Sequence, residues 1–339
     1  MQVCRMKATR RGFLRTVVGA VGAAPFAGLP ALARAESLSV PKRKFGRHDE
    51  MVSVVGLGGQ TLGQSASIEE ARRIARHAID LGITFFDNSW DYIGGNAEKW
   101  MGYALADGWR DKVFLMTKVC THGKALPAGG REGAMQMLEQ SLSRLGTDHL
   151  DLWMIHQLEN DDEVKKAYGP GGVIEALELA KKQGKVRYTG FTGHTNPESH
   201  LEMLRGGYEF DASLMPVSAL GALSSRRFEE VVMPELVKRN VAVLGMKGFG
   251  GSKRASLHGL VNPETVLRYS LSYPQVCTHL IGMDKYDYVD QAALASSKTP
   301  MTVPEREAFT VALAAQGGAA YACYLQEGYR DGSCGGAVA

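Results

Sequence analysis

Eight short apolar, β-branched runs recur along this chain, at Met51–Leu57, Ile83–Asp87, Lys112–Val119, Leu150–His156, Lys185–Thr192, Phe210–Val217, Val241–Met246 and Val276–Gly282. Segments with helical periodicity separate them. The runs are apolar almost throughout rather than alternating, as strands covered on both faces should be. Eight such strands interleaved with helices predict an α/β fold whose parallel sheet closes on itself, a (β/α)8 TIM barrel. An open doubly wound sheet is the competitor. Its usual G-x-G-x-x-G turn is absent after the first run, where the chain reads Gly56-Leu57-Gly58-Gly59 and no helix is expected directly behind. The first long helix has clear punctuation: Ser67-Ile68-Glu69-Glu70 reads as a capping box, Ile68, Ala71, Ile74, Ala75 and Ala78 share a face, and Gly82 stops it. Asn196-Pro197 and Asn262-Pro263 read as N-caps followed by proline at the first helical position.

The segment before the first run has a different character. Thr9-Arg10-Arg11-Gly12-Phe13-Leu14-Arg15 is basic and free of acids, the stretch 16–33 is uncharged, and Ala33-Arg34-Ala35 is a small-x-small cleavage signal. That layout predicts a twin-arginine signal peptide over residues 1–35, export-machinery recognition and a periplasmic destination. Its glycines and prolines make it a poor membrane-spanning helix. Residues 36–339 then form a single barrel domain. Six basic residues and no acids precede Glu36, so the formal charge of +3 becomes 3 − 6 = −3 after cleavage. No Lys/Arg cluster stands out in the remainder, which removes the compositional support for a nucleic-acid or anionic-membrane partner. The cysteines show no C-x-x-C, and in an oxidising compartment a Cys323–Cys334 bridge is chemically possible.

Barrel active sites lie at the carboxyl ends of the strands. Those ends supply Asp87, Tyr92 just beyond it, Lys118 and His156. Taken singly, each has a structural alternative. Together they make a convergent acid, phenol, ammonium and imidazole: a nearby ammonium favours the phenolate, so Lys118, held by Asp87, would make Tyr92 a better proton donor. His156 could hold a substrate oxygen toward it.

The stretch Asp87-Asn88-Ser89-Trp90-Asp91-Tyr92-Ile93-Gly94-Gly95-Asn96-Ala97-Glu98 resembles the aldo-keto reductase motif in which an Asp precedes a catalytic Tyr by five positions. Thr117-Lys118, Asp151–His156 and Gly184–Phe191 are similar to further landmarks of that family, in order. The resemblance implies hydride transfer between a nicotinamide cofactor and a small carbonyl compound, aldehyde or ketone, with Tyr92 as general acid, Lys118 and Asp87 tuning it, and His156 positioning the carbonyl. Trp90 would wall the substrate pocket, or pack at the rim on the helix that starts at Asn96.

By the same resemblance the cofactor would meet Thr192 and Gly193 after the fifth strand, where the family usually has Ser-Asn, and Met246 on the seventh, where an aromatic is usual. Leu214 stands in place of an expected Gln. Gly248, Gly250 and Gly251, with Lys253, would cradle the pyrophosphate. After the eighth strand, Gly282-Met283-Asp284-Lys285-Tyr286-Asp287-Tyr288 offers Lys285 as its single cation, where many members clamp a 2′-phosphate with several. Acids there would repel that phosphate and accept from a free 2′-hydroxyl, which predicts NAD(H) over NADP(H). Two other readings compete: a metal-dependent hydrolase or lyase using His122, His156 and His194, and a barrel that binds a ligand without catalysis. The tail from Gln316 to Ala339 is Gly-rich with several tyrosines, suited to closing over a ligand or to lying on the surface.

Overall fold

In a computed structural model of the chain, the described residues are 39–121, 130–224, 226–251 and 257–325. All belong to the compact unit Leu38–Ala339. The twin-arginine segment, His122, Lys253 and Cys334 lie outside the described residues.

The expected barrel is present. Strands β3 (Val55–Gly58), β4 (Phe85–Asp87), β5 (Phe114–Cys120), β6 (Leu150–His156), β7 (Val186–Thr192), β8 (Ala212–Pro216), β9 (Ala242–Met246) and β10 (Val276–Gly282) pair in parallel, and β10 returns to β3 to close the sheet. Helices α1 (Ile68–Asp80), α2 (Asn96–Leu105), α3 (Arg131–Leu145), α4 (Asp161–Tyr168), α5 (Val173–Lys182), α6 (Pro197–Arg205), α7 (Met233–Lys238), α8 (Pro263–Ser270) and α9 (Tyr286–Ser296) lie between or after them, with α10 (Val303–Ala315) beyond. No helix among the described residues is long and apolar enough to cross a membrane.

The first apolar run divides into two structures. Met51–Ser53 is β2, which pairs antiparallel with β1 (Lys42–Lys44), and only Val55–Gly58 enters the barrel. Phe45 and Val52 of the hairpin join one buried cluster with Phe85, Phe114, Met116, Leu152, Met154, Ala212 and Leu244 of the barrel interior, Phe45 lying 5.0 Å from Phe114 between ring centroids. Phe45 is fully buried there, which stabilises the fold by about 1.5–3 kcal/mol. Arg43 ties the hairpin down by donating to the carbonyls of Leu271, Tyr273 and Val276.

Caps follow the sequence closely, with two differences. Ser67 Oγ accepts from Glu70 N at 3.1 Å, but the Glu70 carboxylate pairs with Arg73 and no reciprocal contact to Ser67 is formed. Asn262 and Thr265 make the full reciprocal box. A single helical turn, Gly59–Leu62, follows β3 where none was expected. Cys323 is a free thiol, so the bridge considered with Cys334 is not formed, while Cys120 is disulfide-bonded.

Side chains alternate across a strand, so residues two apart share a face. Phe85, Met116 and Met154 are in the barrel interior. Two positions further on, at the carboxyl ends of β4, β5 and β6, the same inward parity delivers Asp87, Lys118 and His156.

Candidate active site

Tyr92 arrives from the loop after β4. Asn88 N donates to Met116 O at 2.9 Å and Trp90 N to Lys118 O at 3.1 Å, extending the β4–β5 pairing past the end of the strand. The chain then reverses through three successive left-handed residues, Ile93, Gly94 and Gly95, with φ of 51, 61 and 86°. A β-branched residue at positive φ costs about 1–2 kcal/mol, so packing must hold Ile93 there. Gly95 is favoured by its φ of 86°, and a Cβ there would also crowd the Arg144 guanidinium at 2.5 Å. Arg144 donates to Trp90 O and to Glu98, and Thr117 donates to Glu98 from behind. Burial pushes the Glu98 carboxyl upward against those contacts.

Inside this clamp, Lys118 is 1 % and Asp87 5 % exposed. Lys118 Nζ donates to Asp87 Oδ1 at 2.5 Å, to Asn88 O at 2.7 Å and to Tyr92 Oη at 3.0 Å. An ammonium has three protons, and all three are engaged. Because Lys118 donates to it, the Tyr92 hydroxyl must turn its own proton elsewhere. The Nζ also sits 4.5 Å above the Tyr92 ring. His156 completes the group, its ring edge-on to Tyr92 at 5.8 Å. The four residues read from consecutive strand ends are therefore one constellation.

Other candidates divide. Trp90 turns to the outer helix layer: its Nε1 donates to Gln140 at 2.7 Å and Arg144 covers its ring at 5.3 Å. These contacts are those of a rim aromatic, although on α3 rather than α2. His194 pairs with Glu159, Nδ1 to Oε1 at 3.4 Å. Among the described residues no three His, Cys, Asp or Glu side chains are grouped to hold a metal.

Glu159, three residues past His156, went unread in the sequence. Its carboxylate accepts from the backbone N–H of His194 and Thr195 and from the Thr195 hydroxyl. Burial raises its pKa, but the His194 contact and charge and the Thr195 bonds outweigh it and hold the group at about 2, below the ordinary 4.5. A carboxyl depressed on folding stabilises the protein above its unfolded pKa and loses that contribution as pH falls. Unfolding free energy should therefore drop by about 3 kcal/mol between pH 4.5 and 2 through this group. Glu159→Gln should be less stable at pH 6 and show a flatter profile across that window in denaturant titrations.

Residues 54–256 match the aldo/keto reductase family. The chain belongs to that family. It is an NAD(P)-dependent oxidoreductase by that membership. Among curated relatives it is similar to methylglyoxal reductase YeaE of Escherichia coli K12, 30% identical over 233 residues that cover 67% of this chain and 76% of the relative. It is also similar to aldo-keto reductase yakc [NADP(+)] of Schizosaccharomyces pombe, 30% identical over 59% of this chain and 56% of that one. Among solved structures, the holo form of aldo-keto reductase AKR11C1 from Bacillus halodurans is 25% identical, covers 80% of this chain and 96% of its own, and superposes with a TM-score of 0.66. An aldo-keto reductase from Klebsiella pneumoniae in complex with NADPH shares the fold at 22% identity, TM-score 0.64, over 80% and 94% of the two chains.

The nicotinamide end of a cofactor site fits the residues at the mouth. Thr192 Oγ1 is buried and has no hydrogen-bond partner among the described residues, an expensive state for a hydroxyl unless a ligand completes it. Met246 is nearly buried on the same inward parity, at the end of β9. At Gly193 a Cβ would lie 2.4 Å from Leu158 O and 2.9 Å from His200 Cε1, so the protein itself requires a small residue there. In the loop after β9, protein atoms crowd two of the three glycines expected at a pyrophosphate. A Cβ at Gly248 would meet Val266 and His279, and one at Gly250 would meet Tyr321 O at 2.1 Å. Cys323 N donates to Gly250 O, and Tyr324 is buried, so residues 318–325 of the tail pack onto the barrel here. Gly251 is exposed. Lys285 is exposed at the start of α9, its Nζ 5.6 Å over the Tyr288 ring.

Proposed function

We propose that this protein reduces a small aldehyde or ketone, or oxidises the corresponding alcohol, with NADP(H), after twin-arginine-dependent export to the periplasm. The observation that carries the chemistry is the buried Asp87–Lys118–Tyr92 chain with His156 beside it. A nicotinamide cofactor bound at the mouth would supply the hydride that the carbonyl carbon takes up. Tyr92 gives its proton to the carbonyl oxygen, and the Lys118 ammonium, 3.0 Å from Oη, stabilises the phenolate left behind. Asp87 accepts from Lys118 and holds it against Tyr92. His156 orients the oxygen toward Tyr92. Thr192 and Met246 would hold the nicotinamide, and Gly251 and Lys285 would lie along the rest of the dinucleotide.

NADP(H) replaces the NAD(H) expectation drawn from Asp284 and Asp287. The relative and neighbour whose names print a cofactor name NADP(+) and NADPH, and Lys285 offers one exposed cation for a 2′-phosphate. Fluorescence titration with both cofactors tests this, and tighter NADH binding would overturn it. Lys285→Ala should weaken NADPH about tenfold and leave NADH nearly unchanged. Reduction of methylglyoxal and of simple aldehydes, followed at 340 nm, tests the activity. Fusion of the first 35 residues to a reporter, with Arg10 and Arg11 changed to Lys, tests the export.

A further inference from the structure

Two buried side chains outside the proton-transfer chain converge on one edge of His156. Ser89 is 0 %, Asp91 2 % and His156 0 % exposed. His156 Nδ1 lies 3.0 Å from Ser89 Oγ and 3.3 Å from Asp91 Oδ1, and Ser89 Oγ donates to that carboxylate oxygen at 2.5 Å. With its proton given to Asp91, the Ser89 hydroxyl can only accept from the ring, and an ionised carboxylate is acceptor-only. Both contacts therefore call for a proton on Nδ1, and Nε2, on the opposite edge of the ring, is the nitrogen that would meet a substrate oxygen. A neutral ring protonated at Nδ1 would present a lone pair there. A carboxylate this close in a buried site favours the imidazolium, in which both nitrogens carry protons and Nε2 donates.

We propose that Asp91, with Ser89, is a positioning residue that keeps His156 protonated at Nδ1 and cationic, so that Nε2 donates to the substrate oxygen. The substrate half of this statement rests on the carbonyl-reductase reading; the pairing rests on the geometry. The same turn thus delivers both the acid, Tyr92, and the group that sets the charge of its neighbour. Several other groups face the ring. Tyr92 and His194 are edge-on at 5.8 and 5.9 Å, Lys118 lies behind Tyr92, and Glu159 lies behind His194. Lys118 opposes a second positive charge here, and Asp91 offsets it.

Long-range proton–nitrogen NMR on histidine-labelled protein, with His156 assigned from His156→Gln, reads the protonation of each ring nitrogen without substrate. Nδ1 should carry a proton in the wild type at every pH where the protein is folded. In Asp91→Asn the titration midpoint of His156 should fall by roughly one to three pH units, and Ser89→Ala should move it less. The pH at which kcat/KM for reduction declines should fall in parallel, with KM nearly unchanged. An unprotonated Nδ1 in the wild type, or a midpoint within about 0.3 units of wild type in a folded Asp91→Asn protein, overturns the proposal. Should Asp91→Asn fail to fold, the wild-type Nδ1 state and the Ser89→Ala shift decide. Absence of carbonyl reduction in the wild type would sink the reading of the reaction while the NMR still judged the pair.

Discussion

Tyr92→Phe should lower kcat/KM for carbonyl reduction by about 10²–10⁴-fold, the usual worth of a positioned general acid, while cofactor affinity stays within about twofold. The substitution is unusually clean in this site. The ring would keep its place under Lys118 at 4.5 Å and its edge contact with His156, so little but the hydroxyl is removed. Lys118 loses one acceptor, and that vacancy is at the mouth, where water can fill it. Steady-state rates with a fluorescence titration of the cofactor measure both quantities. Activity within tenfold of wild type would remove Tyr92 from proton transfer and favour a barrel that binds without catalysis.

Lys118→Met should abolish reduction and also destabilise the fold by about 3–5 kcal/mol, because it strips the buried Asp87 carboxylate of its ammonium. Against a typical total of about 5–15 kcal/mol, that loss is large. The double variant Asp87→Leu/Lys118→Met removes both charges together. Well-packed apolar replacements of a buried ion pair are often neutral or stabilising, so the double variant should recover most of the stability and none of the activity. Denaturant unfolding of the wild type, the single and the double variant separates the two roles. A double variant that regained activity would show that the pair serves packing alone.

Asp87, Lys118 and His156 were legible in the sequence because strand ends are legible. An apolar run marks the strand, its last polar residue marks the mouth, and parity supplies the inward direction. Ser89 and Asp91 were in plain view in the same motif, yet nothing in the one-dimensional pattern aims their side chains at a histidine 65 or more positions away. That meeting depends on the β4–β6 spacing and on the left-handed turn at Ile93–Gly95. Trp90 could be read either way from the sequence, and its hydrogen bond to Gln140 on α3 comes only with the fold. Glu159 carries no mark in the one-dimensional pattern, and its role comes from the backbone N–H groups of His194 and Thr195, which lie 35 and 36 positions on.

The hairpin at β1 and β2 marks a different kind of limit. Met51–Leu57 reads as one apolar run, and both of its halves bury side chains, Val52 in β2 and Val55 and Leu57 in β3, although Met51 is exposed. Periodicity reports burial, and it has no term for which sheet a residue joins. The glycines after β9 follow the same logic, since glycine in a loop reports close approach without naming what approaches. The approaching atoms at Gly250 belong to the chain's own tail, at Tyr321.

By itself, then, the sequence determined the barrel, the order of its strands and the three strand-end residues at its mouth, because these follow from local hydrophobic period and the two-residue repeat of a strand, while Tyr92 was read from its place just beyond the strand and from the family motif. Tertiary structure alone decided which carboxylate serves which imidazole, which glycines face protein rather than solvent, and how the hairpin closes the barrel floor. Those are contacts between residues far apart in the chain, and their energies depend on distance and burial that no local pattern encodes.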